Sequence, residues 1–376
     1  MTNSFPSRRN FIKRISLLTG AALLTPNLLK SQTKQKSSTT SFIDQLKPAI
    51  KKGGFEMKDY WIWGSSIIKG EDGLYHMFAD RWPKELGFNS WITASEVVHA
   101  IAKNPQGPYE FVNIALPKRK SSFFDGLVTH NPRIIKYKNT YYLYYFGTTY
   151  NFPTPSANEA WQDDYFEKAW MNKRIGIAWS KNINGPWNRL DKPILEPRPQ
   201  KWDATITTNP SPVIDPLTKR ILMVYKSSSF SSAPPLMLGI TEAKKPLGKY
   251  KRLTDEPIFR FDNHTKDNDV EDPFVWHNGE YFELIMKDRF GHICGEDGAG
   301  LHATSQDAIQ WHLSNPVKAY SRTVQWNDGT QTIQANLERP FLLIEEGKPT
   351  HLFLATGEGE SPWNFKRTWN MVIPLI

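Results

Sequence analysis

The chain has 376 residues, of which 39% are apolar, 13% aromatic and 23% charged, so it can bury a sizeable core and is not a disordered polymer. Its single cysteine, Cys294, excludes an internal disulfide and a thiolate zinc cage. The net charge of +9 is confined to one end, because residues 1–52 hold ten cations and one anion and leave 37 of each sign beyond them, which excludes a body built to hold nucleic acid.

From the N-terminus, residues 7–13 read Ser-Arg-Arg-Asn-Phe-Ile-Lys and precede a mildly apolar run over 15–29. This resembles a bacterial twin-arginine export signal, which implies an export machinery as partner and a periplasmic or secreted mature protein. The run is too short and too interrupted for a span of roughly 20 apolar residues, so no stable membrane anchor is expected. The expected organisation is an export signal over 1–32, a linker over 33–54 and one folded domain over 55–376.

That domain repeats. Two polar residues, a proline and a β-rich run recur as His130-Asn131-Pro132-Arg133, as Glu271-Asp272-Pro273-Phe274 and as Glu338-Arg339-Pro340-Phe341, with Asn209-Pro210 in register. Each is followed by an aromatic or aliphatic strand such as Tyr141-Tyr142-Leu143-Tyr144-Tyr145. A first copy without proline starts at Trp61-Ile62-Trp63-Gly64. Four copies add a further β-run, a polar turn and an aromatic, at Tyr109, Trp187, Tyr250 and Trp311. Five units of three or four short antiparallel strands, with almost no helical periodicity, predict an all-β fold, a five-bladed β-propeller.

In such a blade the start of the first strand and the end of the second share one face of the disc. The polar residues expected to converge there are His130, Asn131, Asn209, Glu271, Asp272, Glu338 and Arg339, joined by Asp80, Arg81, Lys226, Lys287 and Asp288. Long connections over 81–96, 147–173 and 355–367 open on that face and carry Trp82, Phe88, Trp91, Phe166, Trp170 and Trp363, with Trp161. Aromatic platforms beside carboxylates suit a sugar, whose C–H face stacks on rings while its hydroxyls need polar partners.

On these motifs, and on the turn ending Gly185-Pro186-Trp187, the segment from about residue 55 to the end resembles the five-bladed β-propeller glycoside hydrolases of family 43 and its relatives in families 32, 68 and 117. The resemblance implies hydrolysis of plant or algal poly- or oligosaccharides, exo-acting, by two carboxylates. It also implies a base Asp in the first blade, where this chain has Trp61-Ile62-Trp63-Gly64. Asp59, Asp80 and Asp125 are the nearby replacements. Asp125 and Asp203 both stand seven residues before a blade proline, a shared offset that also fits a recurring structural role. Glu271 is the candidate acid with Asp272 beside it. Glu338 is a second catalytic candidate. His130 and His302 are candidate donors, Trp61 and Trp63 candidate sugar platforms, and Arg81, Lys226, Lys287 and Arg339 candidate partners for an anionic group on the sugar. No cofactor motif is present; a structural Ca2+ in the channel is compatible with the carboxylates. Two other functions fit the same residues: a non-catalytic carbohydrate-binding propeller, and a lyase or histidine-assisted glycosidase acting on uronic-acid sugars.

Overall fold

The computed structural model describes residues 41–159, 162–229, 235–259, 269–361 and 363–375. The export segment expected over 1–32 lies outside them, as do Trp161 and the first part of the expected linker. Among the described residues, no helix is long and apolar enough to cross a membrane.

Runs rich in aromatic and β-branched residues fit a pleated surface, and among the described residues they form five antiparallel blade sheets in which chain neighbours pair, with a separate two-stranded hairpin of Thr323–Gln325 and Gln331–Ile333. The first blade comprises Tyr60–Lys69, Tyr75–Pro83, Glu96–Ala102 and Glu110–Leu116. The second comprises Val128–Tyr137, Thr140–Thr148, Arg174–Ser180 and Asn188–Arg189, and the third Thr208–Ile214, Ile221–Ser227, Met237–Ala243 and Lys251–Arg252. The fourth comprises Val270–His277, Phe282–Asp288, Gly300–Ser305 and His312–Tyr320. The fifth has three strands, Glu338–Glu345, Lys348–Ser361 and Asn364–Pro374. First strands of successive blades touch in cyclic order, and the fifth returns to the first. The sheets form a five-bladed β-propeller with its core between the blades.

The ring is closed by the beginning of the described chain. Lys47 N donates to Pro374 O (2.9 Å), Ile50 N to Val372 O (3.0 Å), and Phe55 and Asn370 exchange amide bonds, so this segment covers the outer edge of the fifth blade. Residues 41–54, within the expected linker, pack against the propeller, with Phe42 and Ala49 buried in the core and Lys47, Lys51 and Lys52 exposed.

One local feature recurs at the inner end of the first strands. Asn131, Asn209, Asp272 and Arg339, each followed by proline, have φ of 55°, 49°, 58° and 56°. Strand register slips beside all four. This is a β-bulge with a left-handed residue, and the proline suits it because the extra residue leaves an amide position without a ladder partner. Below the bulges Arg133 crosses the channel, donating to Ser65 O (3.0 Å) and Pro340 O (2.9 Å).

In the first blade His99 is buried between His76 and Phe78, with its Nε2 2.8 Å from His76 Nδ1. Burial, with His76 adding to it, pushes His99 down to about 4. The folded state thus refuses a proton that the unfolded chain accepts below pH 6.5. Stability is complete above that pH and drains as pH falls towards 4, by ~3 kcal/mol. Urea melts at pH 7 and pH 4 should show this loss reduced by a similar amount in His99→Phe; an unchanged difference would contradict it.

Candidate active site

The bulge residues meet at the centre of the disc. Asn131 Nδ2 donates to Asn209 Oδ1 (2.9 Å) and Asn209 Nδ2 to Asp272 Oδ1 (2.6 Å). Asp272 Oδ2 accepts the Arg339 amide (3.1 Å), and the Arg339 guanidinium forms an ion pair with Asp272. The first blade contributes Gly64 at this position. A Cβ there would stand 2.9 Å from Asp80 Oδ2 and 3.1 Å from Arg339 Cγ. The Arg339 stem thus fills the slot in which the resemblance expects a base carboxylate. A guanidinium in this ring also does not fit a structural Ca2+, and among the described residues no three His, Cys, Asp or Glu side chains group to hold a metal.

One residue earlier in the first strands, Trp63, His130, Glu271 and Glu338 face a cavity of ≈ 1110 Å³. The second strands end on it with Trp82, Lys226 and Lys287. Its walls come from the connections between second and third strands. Phe88 and Trp91 precede and begin a single turn of helix, α1 (Trp91–Ala94), while Phe166 and Trp170 lie on α2 (Asp163–Met171), a helix absent from the periodicity of 147–173. Trp363 adds an indole half exposed at the rim.

The floor is a network of opposite charges. Glu271 is 2.7 Å from Lys226 Nζ and 3.5 Å from both Lys287 Nζ and Arg289 Nε. Burial works to raise its pKa, but Lys226, Arg289 and Lys287 together hold it well below the carboxylate range. This corrects the assignment of Glu271 as the acid: it is an ionised carboxylate. Burial pushes Lys226 down to about 8 against the opposing pull of Glu271. Glu338 accepts from Trp63 Nε1 (3.1 Å) and Lys287 Nζ (2.5 Å).

His130 contributes a wall rather than a proton. Its Nδ1 is 2.7 Å from Ser95 Oγ and its Nε2 3.3 Å from Asp80 Oδ2, a contact whose geometry falls short of a hydrogen bond. The ring packs on Trp91 and Phe146. Burial, with Arg339, Lys173 and Lys226 around it, holds the imidazole well below its usual pKa, hence neutral. Asp80 is fully buried beneath it, its pKa raised by burial, and it accepts the Asn131 amide (2.8 Å).

Several expected site residues are drawn elsewhere. Strand alternation sends Lys287 to the cavity and Asp288 away from it, where Asp288 accepts the amides of Gly291, Ile293 and Cys294. Likewise Trp82 faces the cavity, and Arg81 pairs with Glu96 (2.8 Å) between the rings of Tyr60 and Phe111. Trp61 lies behind Phe88. Asp59 is exposed outside the cavity. His302 bonds Glu283 and Ser314 (2.8 Å each) and stacks on Phe42 and Trp276. Asp272 spends both oxygens within the ring. Asp125 is buried outside the cavity, bound by Arg119, Arg189 and Tyr145 Oη (2.7 Å). Asp203 repeats this clamp with Arg198, Arg252 and Tyr225 Oη (2.9 Å). Sequence reasoning did not single out Lys173, Arg289, Arg322 or Asn336, which all line the cavity. Their only signal is position, just outside the strands that end there.

No family model and no curated protein matches the chain in sequence. Solved structures do match in shape. A family 117 glycoside hydrolase from the marine bacterium Zobellia galactanivorans has a TM-score of 0.62 at 16% identity, over 88% of this chain and 90% of that one. An endo-arabinase from Bacteroides thetaiotaomicron has a TM-score of 0.54 at 12% identity, over 87% and 98%. The Bacillus subtilis arabinanase Arb43A gives 0.54 at 13%, over 88% and 97%. At these identities the likeness establishes the five-bladed fold that the repeats predict.

The two Asp clamps join the chain before a blade to that blade's second and outer strands. Removing one charge from such a buried cluster leaves Arg189 or Arg252 without its carboxylate, while Arg119 and Arg198 keep Asp191 and Asp255, so Asp125→Asn and Asp203→Asn should each cost ~3 kcal/mol in denaturant melts. Two variants as stable as the parent chain would return Asp125 to the list of reacting groups.

Proposed function

We propose that the protein is a glycoside hydrolase that trims terminal sugars from plant or algal poly- or oligosaccharides. The observation that carries this reading is the carboxylate pair Glu271 and Glu338, from successive blades, on the floor of an aromatic-walled cavity. The structural neighbours, a family 117 glycoside hydrolase and arabinanases, support a carbohydrate substrate. The Asn131–Asn209–Asp272–Arg339 ring and Arg133 lie beneath the cavity, a floor that favours a chain end over a chain passing through. The paired arginines near the N-terminus support a periplasmic or secreted location.

Lys287 Nζ touches both acids, at 3.5 and 2.5 Å, which limits the separation of the contacted oxygens to about 6 Å. That is short of the ~6.5–9.5 Å that leaves room for water between an inverting pair and near the ~5–5.5 Å of a retaining one. Glu271, ionised by three cations, is assigned to the anomeric carbon. Glu338, the other carboxylate of the pair, is assigned proton transfer to the leaving group and then activation of water. Trp63 positions Glu338, and the aromatic walls orient the sugar.

The second reading, a carbohydrate-binding propeller without turnover, is favoured by Gly64 in the slot of the expected base and by the cations already paired with both acids.

Glu271→Gln and Glu338→Gln should each lower kcat/KM about 100-fold or more, read as reducing-sugar release from acidic and neutral oligosaccharides, with sugar affinity within a few-fold by calorimetry. Proton NMR of the first product should show the retained anomer. Release that survives both substitutions ends the assignment. Binding without release by the parent chain establishes the second reading.

A further inference from the structure

Lys173 immediately precedes the third strand of the second blade, and only 2% of it is exposed. Its ammonium lies 3.8 Å from the centre of the Trp170 ring and 5.6 Å from those of Trp91 and Phe146, and it lines the cavity. The other floor cations are matched: Lys226 with Glu271, Lys287 with Glu338, Arg289 with Asp269 and Arg339 with Asp272. Arg322, on the wall, gives Nη1 to the Ala335 carbonyl (3.0 Å). Lys173 has no ion pair and no side-chain hydrogen bond among the described residues. Lys226 and Arg339 repel it, and Glu271 and Glu167 attract it more weakly without forming an ion pair with it.

Burying an unpaired ammonium is costly, and cation–π contact with three rings offsets only part of that cost. A fold needs no such residue, since an apolar side chain of equal length would pack against the same rings. A ligand anion would supply what the site lacks: a counter-charge in a place where water is already largely excluded, with flat rings beside it for the sugar face.

We propose that Lys173 is an anion-recognition residue and that the sugar taken by this cavity carries a negative substituent, a carboxylate or a sulfate ester. The inference rests on the cavity being a carbohydrate site but not on catalysis. Burial, with Lys226 and Arg339, pulls Lys173 well below the usual lysine pKa, and an arriving anion opposes that pull by favouring the charged form.

The test is calorimetric binding of the full chain to galactose, galacturonic acid and galactose 6-sulfate, and to glucose, glucuronic acid and glucose 6-sulfate. An acidic sugar should bind about tenfold or more tighter than its neutral parent, the scale of one charge-assisted contact. Lys173→Met, which keeps length and packing among the rings, should abolish that preference while leaving neutral-sugar affinity within about threefold. Preference for the uronic acids or for the sulfates identifies the substituent. Equal binding of acidic and neutral sugars, or a preference that survives Lys173→Met, overturns the inference alone. No binding of any of the six overturns the carbohydrate reading with it. Lys173→Arg separates charge from misfolding, because it should retain the preference in part if the ammonium acts by its charge; its loss there as in Lys173→Met, with both melts intact, overturns the inference.

Discussion

The left-handed residue before the blade proline is the constraint on which the rest of this structure depends. It breaks the strand ladder at one place in four blades, and the break turns two consecutive side chains to different tasks. Asn131, Asn209, Asp272 and Arg339 turn inward and bond one another around the axis, while His130, Glu271 and Glu338 turn up into the cavity. A regular strand would place neighbouring residues on opposite faces of the blade, and the two acids would not share a floor. The first blade joins the same ring through Gly64, whose missing side chain makes room for the Arg339 stem. A side chain at the Gly64 position and the Arg339 stem therefore could not both occupy this space without one giving way.

Charge follows from this packing. The floor holds Lys226, Lys287, Arg289 and Arg339 close to two glutamates and Asp272, so the acids are compensated before any ligand arrives. In a water-poor cavity such compensation keeps Glu271 ionised. The chain as a whole is balanced beyond its N-terminal segment, so attraction of an anionic ligand is local and short in range, a matter of one uncompensated ammonium and not of a broad field.

The repeat of polar residues, proline and aromatic strand was enough for the architecture, because hydrophobic periodicity and turn chemistry are local properties that the chain displays without folding. The same repeats located the face of the disc that carries the cavity, and they named Trp63, Glu271, Glu338, Lys226, Lys287 and Arg339. They could not divide consecutive pairs. Lys287 and Asp288, or Arg81 and Trp82, look alike in a string of letters, and only strand register decides which of each pair meets the cavity. The matched offsets of Asp125 and Asp203 were visible, but the arginines and tyrosines that clamp them arrive from distant strands.

What the sequence by itself determined is therefore the number of blades, the direction of their strands and the composition of one mouth. Tertiary structure decided the protonation and pairing of the groups found there. Glu271 is an ionised carboxylate because three cations from two blades and a loop surround it. His130 is neutral because it is buried among rings and cations. Lys173, unremarkable beside a strand in the sequence, forms no ion pair because the nearest floor carboxylate, Glu271, is drawn to Lys226, Lys287 and Arg289. Composition is written residue by residue, whereas electrostatic pairing depends on distance and exclusion of water, which exist only once the blades have closed into a ring.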